Sequence, residues 1–347
     1  MSAPLIDLFS DTKTRPTAAM RVAMANAEVG DERAGEDPTV RALEERGAAL
    51  LGKESAVYLP SGTMCNEIAL AVHCRPGEAV ICESGAHIVG FEAGGPGALA
   101  GVVLDPIPGA RGIFTAAQLT EHLRADNLQA PWQRLVSVEN TTNLGGGAVW
   151  PLEELDAVAN VAHGAGLATH MDGARLLNAT VARGIGADEY ARQFDSVWID
   201  FSKGLGAPGG ALLAGSRAFI REARRWQLRI GGAMRQGGII AAACIYALDN
   251  NLPLLAVDHA RARRLADGLA HLQGITIDAA TVETNLVYFD IVTAAWNAKT
   301  LADAALAQGV RLCPMGHRRM RAVTHLDIDD AGIERTLEVL KGLLASA

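Results

Sequence analysis

From about residue 40 to about residue 250 the chain alternates short β-rich runs with longer helical stretches, and this rhythm limits the fold more than any other feature of the sequence. The runs are SAVYL (55–59), AVICE (79–83), GVVLD (101–105), RLVSVE (134–139), LATHMD (167–172), SVWID (196–200) and GALLAG (210–215). Several are apolar on consecutive residues, which suits strands buried on both faces of a parallel sheet. Between them lie helical stretches such as TVRALEERGAALLG (39–52) and PLEELDAVANVAHGAG (151–166). The second opens with Pro151 followed by acids and closes on Gly164 and Gly166, a start-and-stop signature. Strands alternating with helices imply an α/β fold, a mostly parallel sheet flanked by helices.

After about residue 250 the pattern changes. A long helix is expected in NLPLLAVDHARARRLADGLAHL, then three short strands, ITIDA, TNLVYFDI and RAVTHLDI, with a helix between the second and third. Three parts are therefore expected: an N-terminal segment without a convincing strand that packs on the body (1–35), a large α/β domain (36–250) and a smaller C-terminal α+β domain (251–347). With 347 residues, 49% of them hydrophobic, the chain has the apolar material for a large core.

The formal charge is −8, with acids and bases mixed along the whole length and no Lys/Arg block. Nucleic acid and anionic membrane are therefore not expected partners. The five cysteines (65, 74, 82, 244 and 313) lack CxxC spacing, so neither a disulfide framework nor a metal site is expected. MSAPLIDLFSDTKTRP does not read as a signal peptide, and no apolar run approaches the length of a membrane span. A cytoplasmic location is the expectation.

Lys203 lies in SVWIDFSKGLGAPGG, just past a buried strand and before a glycine-rich turn. Among apolar and small residues its ammonium is disfavoured, and the amine becomes nucleophilic enough to form a Schiff base. Read alone, such a lysine is more often a solvated surface group. Asp172, in HMDGARLLNA, ends a predicted strand at the sheet edge where α/β ligands bind. A carboxylate there can pair with a protonated pyridine nitrogen, and Arg175 can take a substrate carboxylate in its planar fork. An Asp–Arg pair capping a helix is the equal alternative. LPSGTMCNE (59–67) puts Ser61, Gly62 and Thr63 at a helix start suited to a phosphate, or to ordinary capping. It is not a Walker A loop, and no GxGxxG opens a first βαβ unit. His87, in ESGAHIVGFEAGG, can stack on an electron-poor ring, although a lone His is more often structural. Arg235 stands among glycines in GGAMRQGG, where it can meet a phosphate, a partner subunit or only a turn.

In this order, DLFSDTKTRPTAAM, GDERAGEDPTVRALEE, PSGTMCN, HIVGFEAGG, ENTTN, HMDGARLLNA, SKGLGAP, GGAMRQGG and RAVTHLD resemble the L-threonine aldolase family over nearly the whole chain. These are fold-type I enzymes dependent on pyridoxal phosphate. The resemblance implies that Lys203 holds the cofactor, Asp172 pairs its ring nitrogen and His87 stacks on the ring. Ser61, Gly62, Thr63 and Ser202 would bind its phosphate. Arg235 would lie near the cofactor of a neighbouring subunit in a homodimer or homotetramer with sites at the interface. Ser10, Arg175 and Arg321 would hold the carboxylate of a small amino-acid substrate. Arg175 also counts with the cofactor-binding set, and Thr142 with the substrate-binding set. The implied reaction cleaves threonine, allo-threonine or a relative such as phenylserine to glycine and an aldehyde, with Lys203, His87 and Asp172 catalytic. β-Elimination from a β-substituted amino acid is the alternative, and a catalytically quiet cofactor-binding protein a more distant one. Three positions depart from the family: Thr142 stands where a histidine is common, Ala34 where a tyrosine is usual and Phe9 where arginine is frequent. The first two suggest a side-chain pocket wide enough for an aryl group.

Overall fold

The computed structural model describes residues 5–125 and 127–345. Near its start Ile6–Asp7 forms a two-residue strand, β1. The main sheet is built from β2 (Ser55–Leu59), β3 (Ala79–Glu83), β4 (Val103–Ile107), β5 (Gln133–Glu139), β6 (Ala168–Gly173), β7 (Ser196–Asp200) and β8 (Ala211–Gly215). Their spatial order is β2-β8-β7-β6-β5-β3-β4. Every neighbouring pair is parallel except the two made by β8, which runs antiparallel to both β2 and β7. β3, β7 and β8 are buried at every residue, as their unbroken apolar runs require when helices cover both faces.

The strand expected in GVVLD sits two residues later, and of its residues only Ile107 is buried. It is the sheet's edge and contains Pro106, which lacks the N–H a central strand must donate. The helices keep their expected places. Asp37 accepts from the Val40 N–H at 2.9 Å and Pro38 begins the helix Pro38–Leu50, while Leu152–Gly164 follows Pro151.

The C-terminal part has its own four-stranded antiparallel sheet and its own core. The strands are β9 (Ile275–Thr276), β10 (Leu286–Ile291), β12 (Cys313–Pro314) and β13 (Arg319–Val323), in the order β12-β13-β10-β9, with β11 (Val310–Arg311) outside them. Leu265, Leu269, Phe289, Leu301, Met320 and Leu340 are among the side chains that close this core. The expected long helix begins only at Leu255, because Pro253 sits in a 3₁₀ turn that separates it from the helix Gly238–Asn250. The strand expected at RAVTHLDI starts earlier and stops at Val323. Beyond it Thr324 Oγ1 donates to the Asp258 carbonyl at 2.7 Å, and the His325 ring binds the Asp7 carbonyl.

The first residues do contain a strand. β1 pairs in parallel with β11, Ile6 opposite Val310, and Leu8 is fully buried in the C-terminal core. Among the described residues no single helix is long and apolar enough to cross a membrane.

Candidate active site

Three parallel strands end together in carboxylates. Glu139 closes β5 opposite Asp172 of β6, and Asp172 in turn lies opposite Trp198 of β7, two residues before Asp200. Carboxyl ends of parallel strands are where α/β sheets bind ligands. Here they floor a cavity of about 240 Å³ whose walls carry Ser61, Gly62, Thr63, His87, Arg175, Ser202 and Lys203.

The helix Gly62–His73 points its start into this cavity. Ser61 caps it, accepting from the Met64 N–H at 3.4 Å. The N–H groups of Gly62 and Thr63 have no acceptor among the described residues, as expected of a first helical turn, and are oriented for an anion. A side chain at Gly62 would meet the Trp198 ring at 2.2 Å, so only glycine lets the helix start come this close. From the same helix Asn66 donates to Asp172 Oδ2 at 2.9 Å, and Asp172 Oδ1 accepts from the Ala174 N–H at 3.0 Å. Burial pushes the Asp172 carboxyl above the usual range, against the pull of His87, Lys203 and these hydrogen bonds.

Lys203 does not have the apolar surroundings expected of it. Its Nζ lies 3.1 Å from Asp200 Oδ2 and over the Trp198 ring. Asp200 Oδ1 accepts from both the N–H and the hydroxyl of Ser202, so one carboxylate organises the whole Ser-Lys turn. From the N-terminal segment Thr14 donates to the Lys203 carbonyl at 2.8 Å and fixes the turn's far side. Asp200 was readable in principle, because it closes a strand as Asp172 does, three residues before the lysine.

Arg175 reaches the cavity wall, but much of its fork is committed. Nε and Nη2 bind Asp11 at 2.8 and 2.7 Å, and Asn285 adds a third donor to that carboxylate. Burial alone would raise Asp11, yet Arg175, Lys203 and Asn285 hold it well below the ordinary carboxylate range. The Asp–Arg pair thus exists with Asp11 and not with Asp172.

The remaining substrate-side residues stand further back than expected. Ser10 does not line the cavity: its hydroxyl accepts from Thr12 N–H at 3.2 Å and Thr12 Oγ1 at 2.9 Å, and Thr12 takes the wall position. Arg321 donates to Asn143 Oδ1 at 3.0 Å and to the Phe9 carbonyl at 3.2 Å, and it is Asn143 that faces the cavity. Arg321 Nε is buried without a partner among the described residues, and the Tyr288 hydroxyl beside it does not reach hydrogen-bond geometry. Thr142 turns away and donates to the Arg111 carbonyl at 2.9 Å, so Thr141 and Asn143 line the space instead. The wider pocket expected from Thr142 therefore has no basis in its position. Ala34 is exposed, and Arg235 is over half exposed and paired with Asp31 at 2.7 Å. Neither lines this cavity.

His87 presents its ring to the cavity from the start of a short helix, with Nδ1 2.7 Å from Glu92 Oε1 and no partner at Nε2 among the described residues. Burial works to lower it, but Glu92 and Asp172 outweigh that and hold it above the usual imidazole value. Glu139 is fully enclosed and accepts from the N–H groups of His87 and Asn143; burial and the nearby Asp172 push it up to about 7.

The donor set suits pyridoxal phosphate. The unpaired N–H groups and the Ser61 hydroxyl match a phosphate, the buried Asp172 oxygens match a ring N–H, and the Lys203 amine lies in the same cavity.

Comparison with known proteins agrees. The beta-eliminating lyase family matches residues 7–292. The low-specificity L-threonine aldolase of Escherichia coli K12 is 41% identical over 327 residues, covering 93% of this chain and 95% of that protein. The low-specificity L-threonine aldolase 1 of Arabidopsis thaliana is 39% identical, covering 96% of this chain and 94% of that one. Among solved structures, a threonine aldolase of Leishmania major superposes with a TM-score of 0.83 at 24% identity, over 97% of this chain and 99% of its own, and this likeness concerns the fold.

Proposed function

The chain belongs to the beta-eliminating lyase family, alongside its L-threonine aldolases, and from that premise we propose that the cavity described above cleaves β-hydroxy-α-amino acids through pyridoxal phosphate held on Lys203. The products are glycine and an aldehyde. The observation that carries the assignment of residues is the meeting of Lys203, Asp172, His87 and the Ser61–Thr63 helix start in one cavity.

When bound, pyridoxal phosphate supplies an aldehyde that joins amines covalently and a protonated ring that draws in the electron pair released at Cα. Asp172 would keep the proton on the ring nitrogen, while the Gly62 and Thr63 N–H groups and the Ser61 hydroxyl would hold the phosphate; Ser202 would join them only by turning its hydroxyl proton away from Asp200. Arg175 takes the substrate carboxylate with the part of its fork that Asp11 leaves open, and Asn143, itself held by Arg321, lies alongside. Ser10 acts at one remove, by holding Thr12 at the wall. Fixing that carboxylate would decide which bond at Cα is aligned to break. His87 Nε2 accepts the β-hydroxyl proton as the Cα–Cβ bond breaks, since Nδ1 is committed to Glu92. The proton taken up by His87 would balance the one that Cα needs to become glycine, and the Lys203 amine would be the group that releases the product.

Arg235 and Ala34 belong to a second subunit's site in this reading. What supports it is that both are exposed on one surface outside their own cavity, where the Glu32 N–H donates to the Arg235 carbonyl at 2.8 Å.

Purified protein loaded with pyridoxal phosphate should carry a visible band that borohydride abolishes, and the reduced label should map to residue 203. A reducible band that persists in Lys203→Ala would overturn the assignment. Threonine, allo-threonine and phenylserine should each be scored for glycine and aldehyde. Ammonia with a keto acid in their place would instead mark β-elimination.

A further inference from the structure

Behind His87 lie two glutamates, Glu92, to which its Nδ1 is committed, and Glu67, which the reaction just described does not use. Glu67, from the helix Gly62–His73, is 4% exposed, and Glu92, from the loop after His87, is 6% exposed. Both Glu67 oxygens and Glu92 Oε2 are buried without a donor among the described residues. The titratable neighbour of Glu67 is Glu92 itself, and a glycine at 95 lets the loop backbone close over the pair, since a Cβ there would lie 2.0 Å from Glu67 Oε1.

The protonation pattern around them follows from which atoms can only donate. The Trp198 indole N–H is a donor only, and its partner at 2.7 Å must be the oxygen of Asn66. The amide nitrogen of Asn66 then donates both to Glu92 Oε1, at 2.7 Å, and to Asp172 Oδ2. Glu92 Oε1 is therefore an acceptor, and the His87 Nδ1 beside it carries a proton. Three carboxylate oxygens remain with nothing but each other. Two adjacent buried carboxylates do not both ionise, and a single proton between them pairs one Glu67 oxygen with Glu92 Oε2 and removes one of the two charges.

We propose that Glu67 and Glu92 share one proton and act as a single buried anion, a positioning pair that fixes His87 with Nδ1 protonated and leaves Nε2 as the proton acceptor facing the substrate. The proposal rests on the reading of His87 given above. It also explains why Asn66 bridges the two carboxylates: the anion behind His87 and the anion behind the ring nitrogen are tied to one amide.

Burial, then the charge of Glu92, pushes Glu67 up to about 8. Above that pH the pair becomes a dianion, and His87 retains a proton on Nε2 more strongly. The other groups facing His87 are Asp172, Lys203 and Glu139. Their contributions are common to wild type and variant.

Infrared spectra of the cofactor-free protein at pH 7 should show the carbonyl stretch of a buried protonated carboxylic acid. Glu67→Gln, which fills the same space and permanently supplies the shared hydrogen, should lower that band by one carboxyl, and Glu92→Gln should do the same, leaving the contribution of Glu139 and Asp258, which burial also raises to about 7. In the loaded enzyme Glu67→Gln should keep kcat near neutrality within about threefold while its alkaline limb moves up by about one pH unit or more. The sign for stability is fixed as well. A carboxyl raised in the folded state lends stability that is lost as pH rises from the ordinary glutamate value, 4.5, to about 8. Glu67→Gln should thus match wild type in Tm near pH 4.5 and exceed it increasingly up to pH 8. A wild type without the infrared band, a band undiminished in both variants, or an alkaline limb unmoved in Glu67→Gln would each overturn the pair. The infrared and Tm measurements need no cofactor and do not depend on the reaction assignment, which aldehyde release tests separately.

Discussion

Asp11 and Arg175 come from positions 164 residues apart and meet as a buried, two-pronged ion pair. Removing one partner leaves the other charge buried and uncompensated, an effect of about 3–5 kcal/mol. Asp11→Ala should therefore lower unfolding stability in urea by about that amount and raise KM for the amino acid more than it lowers kcat, because the fork of Arg175 loses its alignment. Asp11→Asn keeps the shape without the charge. Since the Asp11 carboxyl is held far below its ordinary value, the stability it lends is present above the usual aspartate range and lost as pH falls through it. The acid side of the stability curve should be shallower in Asp11→Asn than in wild type. At this scale the sequence is legible where a residue's meaning is local. Lys203 and Asp172 each follow a strand, and strand ends are where α/β ligands sit. Asp11, Glu92 and Asn143 acquire their meaning from partners brought by tertiary contact, and nothing beside them in the chain announces those partners. Thr142 shows the converse error: a position aligned with a functional residue whose side chain points elsewhere.

The helix Gly62–His73 does two jobs within two turns. Its first N–H groups await an anion, and one turn on Asn66 and Glu67 manage the carboxylates behind the site. Because the start of this helix rests on Trp198, Gly62→Ala must displace either the ring or the helix. Pyridoxal phosphate should then dissociate about tenfold more readily or worse, equivalent to about 1.4 kcal/mol, as measured by equilibrium dialysis of the visible chromophore. Ser61→Ala removes a long capping bond and should cost about 0.5–1 kcal/mol of stability. The cap was readable from Ser-Gly-Thr before an apolar run, whereas the contact with Trp198 was not, since only the packing of this helix against β7 creates it. The edge position of β4 was partly written in Pro106, which a run of valines in front of it disguised. Likewise Pro253 marked the break in the expected long helix.

At the scale of the molecule, the proposed sharing of sites between subunits can be tested without a structure of the assembly. Lys203→Ala and Arg235→Ala proteins, each inactive or nearly so, should regain activity when dissociated and reassembled together. If Arg235 serves the partner's site, roughly a quarter of all sites in a random dimer mixture combine an intact Lys203 with an intact partner Arg235. No recovery above the parents would place Arg235 outside the neighbouring site. The division into a parallel sheet and a smaller antiparallel one was legible from the change of pattern near residue 250. The tie between the chain's two ends was not, because β1 is two residues long and borrows its order from β11.

That tie has a consequence for how the protein is made. A ribosome delivers Ser10 and Asp11 well before Asp172 and Lys203, and Asn285, Val310 and Arg321 later still. At ~5–20 residues per second the leader segment waits on the order of tens of seconds for the partners that hold it. A nascent chain halted after the large sheet would contain the lysine and the anion cup while its substrate clamp stayed open. Activity should therefore switch on late in translation, after the last strand has left the exit tunnel.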